Sequence, residues 1–180
     1  SAASDVYKRQ ALMNDGSVVT WGRSTGGGDS SGVDFSGGVS NIYSNGSAFA
    51  ALKNDGSVVT WGDLGAGGGI DLSPGVSTIY STTYAFAALK TDGSVVTWGN
   101  SSYGGDSGGV DLSSDVSTIY SGPFAFAALK NDGSVVTWGA PSVGGDSSGV
   151  DLSSGVRTIY STNVSFCLLY TSPSPRDQLG

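Results

Sequence analysis

Asp106 with Asp111, and Asp146 with Asp151, are the residues of this chain whose type and spacing could do chemistry. Two carboxyl groups across a cleft are the usual equipment of glycoside hydrolysis, one as acid and the other as nucleophile or base. The loops that carry them, "GGDSGGVDLS" and "GGDSSGVDLS", are also rich in the hard oxygen donors that calcium takes. Neither chemistry is well supplied. The corresponding loop "DLGAGGGIDLSPG" keeps Asp71 but not the first partner, and no Asp-x-Asp-x-Asp-Gly spacing occurs. "STGGGDSSG" resembles a phosphate loop in glycine content alone, since Gly-Lys-Ser/Thr and a following helix are missing. The chain has no His and one Cys, Cys167, so a serine triad and a zinc site both lack their usual parts. No residue is assigned a catalytic, cofactor-binding or metal-binding role. The expected cofactor is none, with calcium as the alternative.

Catalysis needs one asymmetric constellation, whereas these polar groups recur because the whole sequence recurs. Trp21, Trp61, Trp98 and Trp138 are spaced by 40, 37 and 40 residues, each within "SVVTWG" after a "DG" turn. Upstream lies "FAALK", and before that "VSNIYS", "VSTIYS", "VSTIYS" and "VRTIYS". Length varies only in the Gly/Ser/Asp segment between "WG" and the next copy, as a surface loop would. The alternation of β-branched and aromatic residues predicts three strands per copy. In the first, Val76, Thr78 and Tyr80 are expected on one face, and Ser77, Ile79 and Ser81 on the other. "AFAALK" sets Phe86 and Ala88 against Ala85, Ala87 and Leu89. "SVVTWG" sets Val95 and Thr97 against Val96 and Trp98. The "TDG" between the last two strands predicts a hairpin with a left-handed residue at Gly93, and a fourth short strand is expected at "GVDLS". Asp15, Asp55, Asp92 and Asp132 are read as turn residues that accept backbone N–H bonds.

Apolar groups on both faces of every strand argue for small sheets covered on both sides by their own copies. Burying a Trp removes about 150–250 Å² from water, an upper bound of about 4–6 kcal/mol at ~25 cal/mol per Å². The Trp row is therefore read as core between copies rather than as a ligand-stacking surface. The expected fold is all-β, a partial β-propeller of about four short three- to four-stranded blades, with a β-solenoid of stacked hairpins as the alternative.

The repeat breaks at both ends. Gln10 and Arg9 stand where Ala and Phe are due, and "CLLYTSPSPRDQLG" follows Phe166 in place of Ala-Ala-Leu-Lys. Written as codons, "DVYKRQ" and "CLLYTS" are nearly reverse complements and resemble the end of a transposase-type sequencing adapter. The reading sets aside residues 1–10 and 167–180 as adapter artefact and keeps 11–166 as a fragment of tandem repeats. Such a fragment is expected to leave open strand edges that aggregate or swap.

All 15 acidic residues are Asp, and the formal net charge is −7. An acidic chain with few, scattered Lys and Arg disfavours a nucleic-acid backbone as partner. No run of 18 apolar residues occurs, so no membrane-spanning helix is expected. A lone Cys leaves the compartment open, and the reading leans to a secreted or cell-surface site. "NGS", "NSS" and "NVS" match glycosylation acceptors, triplets that Asn/Ser-rich loops also produce by chance.

"AFAALKNDGSVVTWG" resembles the repeat of the regulator of chromosome condensation family, whose units run from an apolar strand into Leu-x-x-Asp-Gly-x-Val-x-x-Trp-Gly. The matching positions are Leu52, Asp55, Gly56, Val58, Trp61 and Gly62, with their equivalents in the other copies, across nearly all of 11–166. The resemblance implies propeller blades. The units here are shorter than the family's, the His often found before the apolar strand is absent, and "GGDSSGVDLS" replaces a Gly-Gln-Leu-Gly segment. Nucleotide exchange and chromatin binding are therefore not carried over. The expected function is a non-catalytic repeat module for protein interaction or scaffolding, presenting Ser, Gly and Asp loops to a protein partner. The alternative is a secreted or surface adhesion array that binds calcium or an extracellular glycan.

Overall fold

Each "DG" closes a hairpin because Gly93 and its equivalents supply the left-handed residue of the turn. Gly93 has φ +79° and its N–H donates to the Lys90 carbonyl. The computed structural model describes residues 8–170. It contains the strands β1 (Lys8–Leu12), β2 (Val18–Gly22), β3 (Val39–Ser44), β4 (Ala48–Lys53), β5 (Val58–Gly62), β6 (Val76–Ser81), β7 (Ala85–Lys90), β8 (Val95–Gly99), β9 (Val116–Ser121), β10 (Ala125–Lys130), β11 (Val135–Gly139), β12 (Val156–Ser161) and β13 (Phe166–Tyr170). Among the described residues there is no α-helix, and a single 3-10 turn follows each "WG".

Five antiparallel sheets result: β1-β2, β3-β4-β5, β6-β7-β8, β9-β10-β11 and β12-β13. These are consecutive blades of a partial β-propeller, here blades 1 to 5, rather than the stacked hairpins of a solenoid. Blade 1 holds the second and third strands of the repeat, and blade 5 the first and second. Successive first strands approach one another from blade to blade, so they form the inner row. Of the terminal stretches set aside above, residues 1–7 and 171–180 lie outside the described residues. Lys8–Gln10 belong to β1 and Cys167–Tyr170 to β13.

Two expectations need correction. In the first strand of a blade, Val76 and Ile79 share a face, both packed against the preceding blade with Phe86, Ala88 and Trp98. The reason is a bulge: Val76 pairs with Lys90 but Thr78 with Leu89, so Ser77 is an extra residue that reverses the alternation. The Ser77 hydroxyl donates to the Leu89 carbonyl at 2.9 Å, and Ser40 and Ser117 repeat the contact at Leu52 and Leu129. The second correction concerns "GVDLS". It forms no strand, only an isolated bridge between Leu72 and Val58 and single backbone bonds from Val95 to Leu112 and from Val135 to Leu152.

The core is a series of layers between blades. Ala48, Ala50, Leu52 and Val58 of blade 2 face Val76, Ile79, Phe86, Ala88 and Trp98 of blade 3, and the same pairing recurs between blades 3 and 4. The alanines are fully buried; a methyl group is all that fits where neighbouring sheets meet. In the three complete blades the third-strand Trp stacks on the second-strand Phe opposite it, with ring centroids 5.3 Å apart for Phe49–Trp61 and Phe86–Trp98, and 5.2 Å for Phe126–Trp138. Trp61, Trp98 and Trp138 are each 4% exposed, as the inter-blade reading expects. Trp21 is 49% exposed, because no blade among the described residues packs against its face.

Candidate interaction surfaces

The two ends of the blades differ in chemistry. At one end lie the hairpin turns. Asp15, Asp55, Asp92 and Asp132 each accept the backbone N–H and the hydroxyl of the Ser two residues on, at 2.6–3.0 Å. The turns rest on the entry to their own blade, where Thr91 N–H donates to the Gly75 carbonyl and Asn131 N–H to that of Asp115, and on the entry to the next, where Val116 N–H donates to the Gly93 carbonyl and Val156 N–H to that of Gly133. Asp34, Asp111 and Asp151 reach the same end and cap Ser36, Ser113 and Ser153 in the same way. Against these carboxylates stand Lys53, Lys90 and Lys130, the last residues of the second strands. Lys130 Nζ lies 3.6 Å from Asp111, Lys90 Nζ lies 4.0 Å from Asp92, and Lys53 Nζ donates to the Asp34 carbonyl at 3.5 Å.

Those serine contacts hold the hairpin aspartates below the usual carboxylate range, the hydroxyl contributing most and the backbone N–H next. A carboxyl whose pKa is lower folded than unfolded adds stability above the unfolded value, and that stability is lost as the pH falls through the folded value. The melting temperature is therefore expected to hold steady above about pH 5 and to drop below about pH 4. The combined Asp15→Asn, Asp55→Asn, Asp92→Asn and Asp132→Asn variant keeps an acceptor in each turn but cannot titrate there. Its acid limb, measured by melting at stepped pH, should be flatter than the parent's.

The carboxylate pairs singled out for acid–base work are built the same way. Asp146 and Asp151 each accept N–H bonds within their own turns, from Ser148 and Ser153, and both are held below the usual range. A glycosidase acid needs the opposite shift. Asp106 accepts from Gly108 N–H, and Asp111 is lowered by Ser113 and then by Lys130. Among the described residues no three carboxyl, His or Cys side chains gather within reach of one metal ion. The Asn triplets also do structural work. Asn45 donates to the Ala66 carbonyl and accepts from Ser47 and Ala48, and Asn100 accepts from Ser102.

At the other end the turns between first and second strands are joined from blade to blade. Gly46 N–H donates to the Thr83 carbonyl and Thr83 N–H to that of Pro123, both at 2.8 Å. Ser81 and Ser161 donate to the carbonyls of Ser44 and Ser121 in the preceding blade. Below them, the hydroxyls of Tyr43 and Thr78, Tyr80 and Thr118, and Tyr120 and Thr158 lie 3.3 Å apart across successive blades. The turns enclose an uncharged groove of about 510 Å³ lined by Ser81, Thr82, Thr83, Ser121, Thr162 and Asn163. Beside it, Tyr103 bridges Tyr84 and Phe124, with centroids 5.2 and 5.4 Å apart. Sequence reasoning passed over this aromatic row. Its signal is departure from the repeat: Tyr84 and Phe124 stand where another copy has Ser47, and Tyr103 where others have Gly26, Ala66 or Val143.

No family model and no curated protein matches the sequence. Solved structures do match in fold. Yeast RCC1 (Prp20), seen in its complex with Kap60, is similar over 92% of this chain and 52% of its own, at 16% identity and a TM-score of 0.57. Prp20p of Saccharomyces cerevisiae on its own is similar over 92% and 53%, at 19% identity and a TM-score of 0.55. The ectodomain of the receptor kinase CR4 from the moss Physcomitrella patens is similar over 74% and 37%, at 17% identity and a TM-score of 0.52. The chain thus spans about half or less of the length of these proteins, and at these identities the likeness is one of fold.

Proposed function

We propose that this chain is a non-catalytic repeat module for protein interaction, and that its hairpin end meets a partner rich in Lys and Arg. One observation carries the reading: the repeat delivers exposed carboxylates, each fixed by its own serine, to one end of every blade, where three lysines stand against them. Fixed carboxylates cost little further ordering when a partner binds, and a surface on which carboxylates outnumber lysines speeds encounter with a partner of opposite sign. The propeller neighbours support the coarse part of the reading. One of them, Prp20p, has binding properties toward Gsp1p and histones. That choice of partners belongs to Prp20p, whose likeness to this chain is one of fold. The reading needs no cofactor.

A fluorescently labelled lysine-rich peptide tests it by anisotropy with the full chain. Binding is expected at about 50 mM salt, with loss at about 500 mM, where the Debye length is only a few Å. The triple Asp34→Asn, Asp111→Asn, Asp151→Asn variant should bind more weakly. Absence of binding at low salt would overturn the assignment of this end. A calcium titration followed by melting belongs beside it: stabilisation by millimolar calcium would favour the metal-dependent adhesion array instead.

A further inference from the structure

At every complete interface the indole of a third strand fills one socket. Its walls are the second-strand Phe of its own blade and the Gly that follows the 3-10 turn of the preceding blade. Trp61 Nε1 donates to the Gly27 carbonyl at 3.0 Å, and Trp138 Nε1 to the Gly104 carbonyl at 3.1 Å. A methyl group added at Gly27, Gly67 or Gly104 would touch both the Phe and the Trp. Between blades 4 and 5 the same socket exists without its indole. A methyl at Gly144 would meet Phe166 alone, and a cavity of about 180 Å³ opens there, lined by Thr137, Gly144, Val150, Leu152, Phe166 and Leu168. Among the described residues blade 5 has no third strand and β13 has no strand on its outer edge.

The same chain carries the piece that fits. β2 reads "VVTWG", identical to the strands that fill the other sockets, and its Trp21 and Val19 are half exposed. In β1 the position opposite Trp21 is held by Arg9, where every complete blade has Phe. We propose that β2 of one copy leaves β1 and pairs instead with β13 of a second, placing Trp21 opposite Phe166 and its Nε1 on the Gly144 carbonyl, so that copies join head to tail. The register copies that of β10 and β11, with Ser165 opposite Gly22 and Leu169 opposite Val18. The exchange gives Trp21 the Phe stack that β1 does not provide and continues the layered core into the next molecule. The occupant is a second copy because this chain displays both halves of a contact it already makes internally. The contact joins two different surfaces, so it propagates or closes into a ring, the smallest being two copies that each fill the other's socket.

Sedimentation velocity of the full chain across a concentration series tests this. The parent should associate as concentration rises. Trp21→Ala removes the indole from an exposed site and should remain monomeric. Val150→Arg, also at an exposed position, and Leu168→Trp, which plugs the cavity from within, should each do the same. Mixing Trp21→Ala with either socket variant should restore a species of twice the monomer mass and nothing larger, since one copy keeps the socket and the other the strand. A parent that stays monomeric throughout would overturn the proposal. So would association that survives Trp21→Ala, or association lost in Trp21→Ala but retained by both socket variants, which would mark a face-to-face Trp21 dimer.

Discussion

Trp138→Ala should lower the unfolding free energy by about 3–5 kcal/mol, whereas Trp21→Ala should change it by no more than about 0.5 kcal/mol. The two residues stand in identical pentapeptides, so local propensity cannot separate them. Trp138 is sealed between blades 3 and 4, stacked on Phe126 and donating to the Gly104 carbonyl. Its removal leaves a cavity and an unmet acceptor together. Trp21 is half in solvent and leaves neither. Trp98→Ala should fall close to Trp138→Ala, with one difference. Trp98 Nε1 finds no acceptor among the described residues, in the interface whose loop is three residues shorter, so its removal sacrifices no hydrogen bond. Urea unfolding of dilute samples, with circular dichroism as the signal, checks the series. Equal losses at Trp21 and Trp138 would contradict the layered core.

Gly99→Ala should cost about 2–5 kcal/mol, whereas Gly109→Ala should be neutral or stabilising by up to about 1 kcal/mol. Gly99 closes a third strand with φ +104°, and a methyl group there would lie 2.7 Å from the Tyr84 carbonyl and 2.8 Å from the Ala85 Cα. The backbone conformation accounts for about 1–2 kcal/mol and the enforced separation for about 1–3 kcal/mol. Gly109 sits in the acidic loop with ordinary φ and nothing within 4 Å of the added methyl, so alanine there restricts chiefly the unfolded chain. Melting temperatures of the two variants should therefore move apart. If Gly99→Ala melts with the parent, the third strand does not approach the turn as described.

Much of the fold is legible because the repeat states it several times over. Period-two alternation in "AFAALK" and "SVVTWG" assigns the faces of the second and third strands correctly, since both pair without interruption. It fails in "VSTIYS", where Ser77 enters as a bulge and turns Val76 round. A hydroxyl bonding to a carbonyl on the neighbouring strand leaves no trace in a hydrophobic pattern. "GVDLS" misleads in the other direction: its alternation suits a strand, yet its backbone bonds to the sheet at Leu72, Leu112 and Leu152 and forms no strand. The Asp pairs look like chemistry in one dimension. In three they are turn caps, which their own following serines already hinted at.

By itself the sequence determined the repeating unit, its three strands, its hairpin and the class of fold, because each of these rests on contacts within about forty residues. Tertiary structure alone decided which tryptophans are buried, which end carries the carboxylates, and that one indole socket stands open between blades 4 and 5. Those outcomes depend on which blade lies next to which. Identical residues acquire different fates when one copy has a neighbour and another does not, and a one-dimensional pattern carries no record of the neighbour.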